Sequence, residues 1–535
     1  MKGSLALVLH AHLPFVRHPE QPDFLEEDWL YEAILETYLP LLSTLERIAD
    51  DQLQARLTLS LSPTLLAMLA DELLMDRCAA RFARLGELAD KEVRRTASDP
   101  VFNQLALFYQ NSFEQLRTQF EDRYRRNLIR PLAALHAEGI VELITSTATH
   151  GFLPLLRTVP GAVWAQVAIG IDHFREVFGH LPNGIWLPEC GYYPGLDRMI
   201  VAAGARYCFL EADGVLNASP PPLYGVHAPV YTTTGVAAFG RDPSCSQEVW
   251  SATSGFPGDP VYREFHRDLG WEADDEYIRP YVQPTGERKS VGIKYFRITG
   301  ATEPKQPYEP AQARQRALAH ARAFLDNREL QFAALASAME PRTPLVVAPY
   351  DAELFGHWWY EGPIFLDAVL RDASKRSRLR LQTPSDFLLD NPEHQVTSPS
   401  LSSWGEGGYA AVWLSPANDW IYPHLHHCAQ SMVALAVDFP QSDGLRRRAL
   451  NQAARELLLA QASDWAFILK TGSMAEYAEQ RTRDHIGRFL QLERQCRANQ
   501  IDDRFLSETE RRDKLFPGLD YRVYAAKLPD LAPVL

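Results

Sequence analysis

Short apolar runs recur along the chain, at 5–9, 55–61, 141–145, 184–187, 207–210, 236–239, 345–348 and 379–381. Several are apolar at successive positions, as strands buried on both faces of a parallel sheet are. Helical periodicity fills many of the gaps, at 29–48, 162–178, 195–203, 311–339 and 364–375. Strand–helix alternation predicts an α/β fold with a parallel sheet, and this many units predicts a closed barrel. Two regions break the rhythm. Residues 64–138 read as nearly continuous helix, with Phe108, Phe113, Leu116 and Phe120 at helical spacings, which predicts a helical insertion after the second strand. From about 425 onward apolar stripes return at 429–437 and 445–469, followed by an amphipathic 475–496, which predicts an all-helical C-terminal domain. A stretch rich in Ser and Pro at 391–403 is the joint, which places the barrel over 1–395 and the helical domain over 396–535. Pro and Gly clusters with little periodicity at 215–300 predict long barrel-edge loops, which in compact enzymes are often lids or binding loops.

At 535 residues the chain exceeds one typical domain, and 46% apolar with 23% charged residues is a globular composition. The formal charge of −14 leaves no basic excess to neutralise phosphates, which excludes nucleic-acid and anionic-membrane partners and suits a neutral substrate. No apolar stretch reaches the length of a membrane span. The first residues faintly mimic a signal peptide, but the apolar run is short and His10 and His12 follow at once, so it reads as a buried strand. Six scattered cysteines with no Cys-x-x-Cys pair fit reduced thiols and a cytoplasmic location.

Polar residues with chemical potential cluster where the apolar runs end. His10 and His12 follow the first run, His150 the third, Glu189 the fourth, Glu211 and Asp213 the fifth, and Asp351 a later one. In a parallel barrel all of these positions share one rim, the C-terminal face of the strands. Glu189 lies in Trp186-Leu187-Pro188-Glu189-Cys190-Gly191-Tyr192-Tyr193, where Pro188 and Gly191 set a sharp turn among aromatic rings. Asp351 lies in Tyr350-Asp351-Ala352-Glu353-Leu354-Phe355-Gly356-His357-Trp358-Trp359-Tyr360. Two carboxyl groups walled by Trp and Tyr suit cleavage of a glycosidic bond, one attacking or stabilising the anomeric carbon and one moving the proton. Asp351 also reads as a helix N-cap, and Glu353 competes with it for the proton role. Nearby aromatic rings raise a carboxyl pKa by desolvation, as a general acid requires.

His10-Ala11-His12 has two readings. Strand alternation puts both imidazoles on one side, as a metal requires, and His150 and His357 could complete a ligand set, although no second short-spacing motif supports one. The other reading is a pair of contacts to sugar hydroxyls. Among the tryptophans, Trp271, Trp358, Trp359, Trp404, Trp413 and Trp420 are spread over three segments, and burial in a core is the usual outcome. Trp404-Gly405-Glu406-Gly407-Gly408-Tyr409 is too glycine-rich for a core strand or helix and reads as a sugar platform. His424, His426 and His427 read as structural or at the substrate edge. Asp464, beside Trp465 in a helical stretch, reads equally as a cap or as a ligand contact.

These motifs resemble glycoside hydrolase family 57. His10-Ala11-His12-Leu13-Pro14 matches its first motif; 139–150, Trp186-Leu187-Pro188-Glu189-Cys190-Gly191-Tyr192 and the segment from Tyr350 to Trp358 resemble the second, third and fourth; a fifth falls around Ser463-Asp464-Trp465. The similarity spans nearly the whole chain and is greatest to the family's α-1,4-glucan branching members. It implies a (β/α)7-type parallel barrel with an inserted helical subdomain and an all-helical C-terminal domain, with no catalytic metal and no cofactor. It implies Glu189 as nucleophile and Asp351, over Glu353, as acid/base, with the two carboxyl groups about 5–5.5 Å apart as in retaining enzymes. His10, His12 and His150 then hold donor hydroxyls, and Trp271, Trp404, Trp413 and Trp420 line the glucan groove, with Trp358, Asp464 and Arg241 also among the substrate-binding residues. Segment 231–247 is the expected shield against water. The implied partner is an α-glucan donor and acceptor, handled by a monomer or small homo-oligomer. An α-amylase or 4-α-glucanotransferase of the same family is the alternative. A metal-dependent amidohydrolase or deacetylase built on His10 and His12, and a non-catalytic glucan binder, are the readings from other classes.

Overall fold

The structure, a computed structural model, describes residues 2–251, 253–300 and 304–526. Its strands are β1 (Gly3–Ala11), β2 (Leu57–Leu61), β3 (Val141–Ser146), β4 (Gly184–Trp186), β5 (Tyr207–Leu210), β6 (Val230–Tyr231), β7 (Ala237–Gly240), β8 (Leu345–Asp351) and β9 (Leu379–Leu381). They form one curled sheet in the order β6-β7-β5-β4-β3-β2-β1-β8, in which every neighbouring pair from β7 to β8 is parallel. That path holds seven parallel strands, the (β/α)7 arrangement. The two ends of the sheet approach one another, and the Asp242 N–H donates to the Val347 carbonyl at 3.0 Å.

Eight apolar runs therefore overcount the barrel by one. The eighth, β9, pairs only with Gly3–Leu5 of β1, on the edge that β2 takes over from Val8 onward. The two-residue β6, antiparallel to β7, is too short to leave a pattern.

All nine residues of β1 are buried. Alternation sends Ala6 and Val8 to the barrel interior with Ile144, Phe209, Phe239 and Val347. Leu5, Leu7 and Leu9 face the surrounding helices. Each such leucine contributes about 1.5–3 kcal/mol of transfer free energy, and the double-sided burial explains why the runs are apolar at every position. Continuing the alternation by one step places the polar His10 inward, at the rim.

Between β2 and β3 lie helices Pro63–Leu69, Glu72–Arg95, Pro100–Thr118 and Ile129–Ala137. Side-chain caps start the two long ones: Asp71 accepts from the Leu74 N–H, and Asp99 from those of Val101 and Phe102. After the barrel, helices Ile421–Asp438, Gly444–Ala460, Ser463–Thr471, Ala475–Ala498 and Asp503–Arg512 pack together. The start of Ser463–Thr471 is tied to the rim, for the Ser463 N–H donates to the His150 carbonyl at 3.0 Å.

Segment 231–247 is not a free loop. It contains β7 and most of the helix Pro243–Trp250, which Asp242 caps at the Cys245 N–H and which buries Cys245 and Val249. The expected shield is thus a barrel strand and its helix, held by the apolar run at 236–239 that also marked it as a strand. Among the described residues no helix is long and apolar enough to cross a membrane. All six cysteines are buried free thiols.

Candidate active site

Parallel register places three polar side chains side by side at the rim: His10 is paired with Ser60 of β2 and with Asp351, the last residue of β8. Ser60 Oγ lies 3.0 Å from His10 Nδ1, and His10 Nε2 lies 2.9 Å from His150 Nε2. The His150 and His12 rings stack at 3.8 Å between centroids. His12 Nε2 is 3.2 Å from both carboxylate oxygens of Asp464.

Glu189 follows β4 on a one-turn 3-10 segment, with φ 61° and ψ 22°. Cys190 and His150 also have positive φ, at 51° and 57°. Non-glycine residues in this region carry roughly 1–3 kcal/mol of strain each and persist where the surroundings hold them. Here the surroundings are explicit. The Trp404 backbone N–H donates to the Glu189 carbonyl at 2.9 Å, while Ser402 and Tyr192 exchange backbone hydrogen bonds. The Glu189 carboxyl accepts from Trp404 Nε1 at 2.8 Å on Oε2 and from Ser463 Oγ at 2.9 Å on Oε1. The glycines of 404–409 have a local cause: a Cβ at Gly405 would meet the Trp413 ring at 2.6 Å, and Gly407 has φ 71°.

A cavity of about 440 Å³ gathers these groups. Its walls include His10, His12, His150, Glu189, Arg241, Asp351, Trp358, Trp404, Trp413 and Asp464, so ten of the twelve residues to which the resemblance gave a catalytic or substrate-binding role share one space. Trp271 and Trp420 do not line it. Trp271 is 56% exposed elsewhere on the surface, and Trp420 lies under the guanidinium of Arg483. Trp413 reaches the wall while 2% exposed, stacked on Phe152. His357, a possible metal ligand by sequence, is held by Glu36 at 2.8 Å instead. His424, His426 and His427 lie off the cavity, and His426 Nε2 donates to the Leu155 carbonyl.

Burial dominates the electrostatics. It pushes Glu189 up to about 7 against the pull of the Trp404 and Ser463 donors, with the Asp464 and Asp351 charges adding to the rise. It lifts Asp351 to about 6, opposed by the charges of His12 and Arg241. Glu353 rises to about 7 by burial, although Tyr38 donates to it, and it also accepts the His12 backbone N–H at 3.2 Å. Among the described residues no side chain donates to the Asp351 carboxyl. Burial holds His10 and His150 well below the ordinary imidazole value, with the charge of His12 adding to it. His12 goes the other way: burial would lower it, but Asp464, Glu189 and Glu353 together raise it.

The ligand atoms of His12, His150 and Asp464 lie close enough together to hold a cation. As placed, His12 already serves Asp464 and His150 Nδ1 already meets Ser463 Oγ at 3.0 Å, so the set is also satisfied internally.

Ser463, Trp250 and Phe467 also line or touch the site without having been singled out. Ser463 stood in the fifth motif beside Asp464, but only its hydrogen bond to Glu189 reveals its part. Trp250 ends the helix after β7, 64% exposed over the cavity.

The family model for glycosyl hydrolase family 57 matches residues 6–400, and that for the 1,4-alpha-glucan branching enzyme C-terminal region matches 424–524. The chain is 32% identical to a 1,4-alpha-glucan branching enzyme of Thermococcus kodakarensis, covering 99% of this chain and 79% of the relative. Among solved structures it is similar to the alpha-amylase AmyC of Thermotoga maritima (TM-score 0.92, 41% identity, 99% and 100% of the two chains). It is also similar to the GH57-type branching enzyme of Pyrococcus horikoshii (TM-score 0.88, 32% identity, 99% and 98%).

Proposed function

Because the chain belongs to glycosyl hydrolase family 57, we propose that it is an α-1,4-glucan branching enzyme that moves an α-1,4-glucan segment to a C6 hydroxyl by double displacement. One observation carries the reading. Ser463 and Asp464, from the region similar to the branching-enzyme C-terminal model, engage Glu189 and His12 of the barrel, so both matched regions build one reaction cavity.

Glu189 attacks the anomeric carbon of the donor while Asp351 protonates the departing glycosidic oxygen, leaving an inverted glycosyl-enzyme. Asp351 then takes the proton from the C6 hydroxyl of an acceptor chain, and the second displacement restores the α configuration. The donors divide these roles. Glu189 accepts from Trp404 and Ser463, which favours its charged form. Asp351 accepts from no side chain among the described residues, which leaves its carboxyl free to meet the leaving oxygen. Burial lifts Glu189 to about 7, above Asp351 at about 6, so in the empty site the proton favours Glu189; a glycosidic oxygen that accepts from Asp351 favours the protonated Asp351 and the charged Glu189 that the reaction needs. His10 and His150, held neutral, spend both ring nitrogens on Ser60, Ser463 and each other, and so brace the stacked His12, whose Nδ1 has no partner among the described residues and is free for a sugar hydroxyl. Trp358 and Trp404 present ring faces to the glucan. The buried free thiols fit a cytoplasmic location.

The 41% identity to an alpha-amylase favours hydrolysis as the second reading. Incubation with amylose separates the two. New α-1,6 signals in the proton NMR spectrum support branching, whereas shortened linear chains with reducing ends and no α-1,6 signal overturn it.

A further inference from the structure

The reaction cavity is not the larger of the two main cavities. A second one, of about 650 Å³, opens on the flank of the barrel between the helix Pro100–Thr118 of the insertion and the helices Leu39–Asp50, Pro310–Met339 and Gly362–Ala373. It shares no wall residue with the reaction cavity. Both volumes fall in the range that holds small-molecule ligands, roughly 300–1,000 Å³.

Its lining has the chemistry of a neutral, hydroxyl-rich ligand. Phe108, Tyr308 and Tyr360 present aromatic surface, and Ser43, Ser112 and Gln115 supply uncharged hydrogen-bonding groups. Most of the charges present are paired within the wall: Arg263 pairs with Glu36 at 3.3 Å and lies 3.7 Å over the Tyr360 ring, and Arg47 pairs with Asp367 at 3.2 Å. Arg314 is the remaining charge, so the wall holds three guanidinium groups against two carboxylates, and two of its three cations are already paired. Arg263 is 5% exposed, and its Nε–H is buried without an acceptor. An orphaned buried donor of this kind costs about 1–3 kcal/mol.

We propose that this cavity is a second saccharide site, which binds a short α-glucan stretch away from the bond being cleaved. The choice of α-glucan rests on the function proposed above. The site is wired to the reaction cavity through the π-helical turn Ile34–Tyr38. Glu36 of that turn holds Arg263 on one side and His357 on the other, next to Trp358 of the reaction cavity, and Tyr38 donates to Glu353. Turns of this kind occur often at functional positions.

The test titrates maltotetraose into the full-length Glu189→Gln protein by calorimetry, alone and combined with Ser112→Trp, Gln115→Trp or Trp404→Ala. Ser112→Trp and Gln115→Trp fill the flank cavity from an insertion helix; Trp404→Ala strips the reaction cavity. The expected result is two sites in Glu189→Gln, one lost with either filling variant and the other with Trp404→Ala. Placed in the wild-type chain, the filling variants should turn over a short linear donor at the parental rate, which also shows that they fold. One site only, removed by Trp404→Ala and untouched by both filling variants, overturns the second site and leaves the proposed function standing. A site removed by the filling variants, with none sensitive to Trp404→Ala, supports the flank site while overturning the proposed glucan chemistry at the reaction cavity. No binding in any variant overturns both.

Discussion

Asp351 and Asp513 are both buried aspartates that burial pushes up to about 6, yet their settings differ in kind. Asp351 faces an open cavity and accepts from no side chain among the described residues. Asp513, 1% exposed among the C-terminal helices, is enclosed: Arg488 reaches it at 3.1 Å, Glu456 meets His485 at 2.7 Å, and Arg481 closes on His485 at 3.0 Å. Perturbed titration marks both groups equally. What separates them is unused hydrogen-bonding capacity next to space that a substrate can fill. The barrel rim has both, and the helical cluster has spent its capacity on its own arginines.

The sharpest way to break this contrast is at the proposed nucleophile. Glu189→Gln should reduce turnover of amylose by at least ~10³-fold with the fold intact; a variant of near wild-type rate would remove Glu189 from the chemistry. Asp351→Asn should cost ~10²–10⁴-fold, less with a donor whose leaving group needs no proton. Glu353→Gln is the control within the same cavity, and if it were the dead variant with Asp351→Asn active, the proton role would pass to Glu353. Ser463→Ala should lower the rate by about tenfold. It should also shift the acidic limb of kcat/KM to higher pH, because Glu189 loses a donor that favours its charge; a rate loss without that shift would make Ser463 merely structural. Asp513→Asn should leave the rate per folded molecule unchanged and lower stability by ~1–3 kcal/mol in chemical denaturation, since Arg488 loses a buried partner.

The smallest effect is on stability against pH. An acid whose folded pKa is raised binds its proton more tightly in the native than in the unfolded chain. Its contribution is complete below the ordinary carboxyl range and is lost as pH rises through about 7 for Glu189 and about 6 for Asp351. From about pH 5 to about pH 8 the wild-type chain should therefore lose ~1–3 kcal/mol relative to Glu189→Gln. Parallel stability curves for the two proteins would show that Glu189 titrates near its ordinary value.

Much of this architecture was legible before any coordinates, and for identifiable reasons. Strands buried on both faces leave unbroken apolar runs, and residues at their ends share a rim by topology alone, which is how His10, His150, Glu189 and Asp351 pointed to one place. The resemblance to family 57 separated Asp351 from Glu353, which composition and spacing left open. The misreadings have equally local causes. Segment 231–247 looked like a lid because its Gly and Pro residues flank a four-residue strand. Trp271 and Trp420 carried the same chemical signature as Trp404, and a side chain type does not say which way its segment faces.

Local pattern, acting through periodicity and burial, determined the parallel barrel, the helical stretches around it and the two acids with their aromatic neighbours. Only the tertiary structure decided that the helix beginning at Ser463 delivers a hydrogen bond to Glu189 across 274 residues, that Trp404 clamps the same carboxyl from another segment, and that a second cavity opens on the flank. Those contacts depend on where independently formed elements dock. Docking is set by the shape and polarity of whole faces, a property that no short stretch of chain carries.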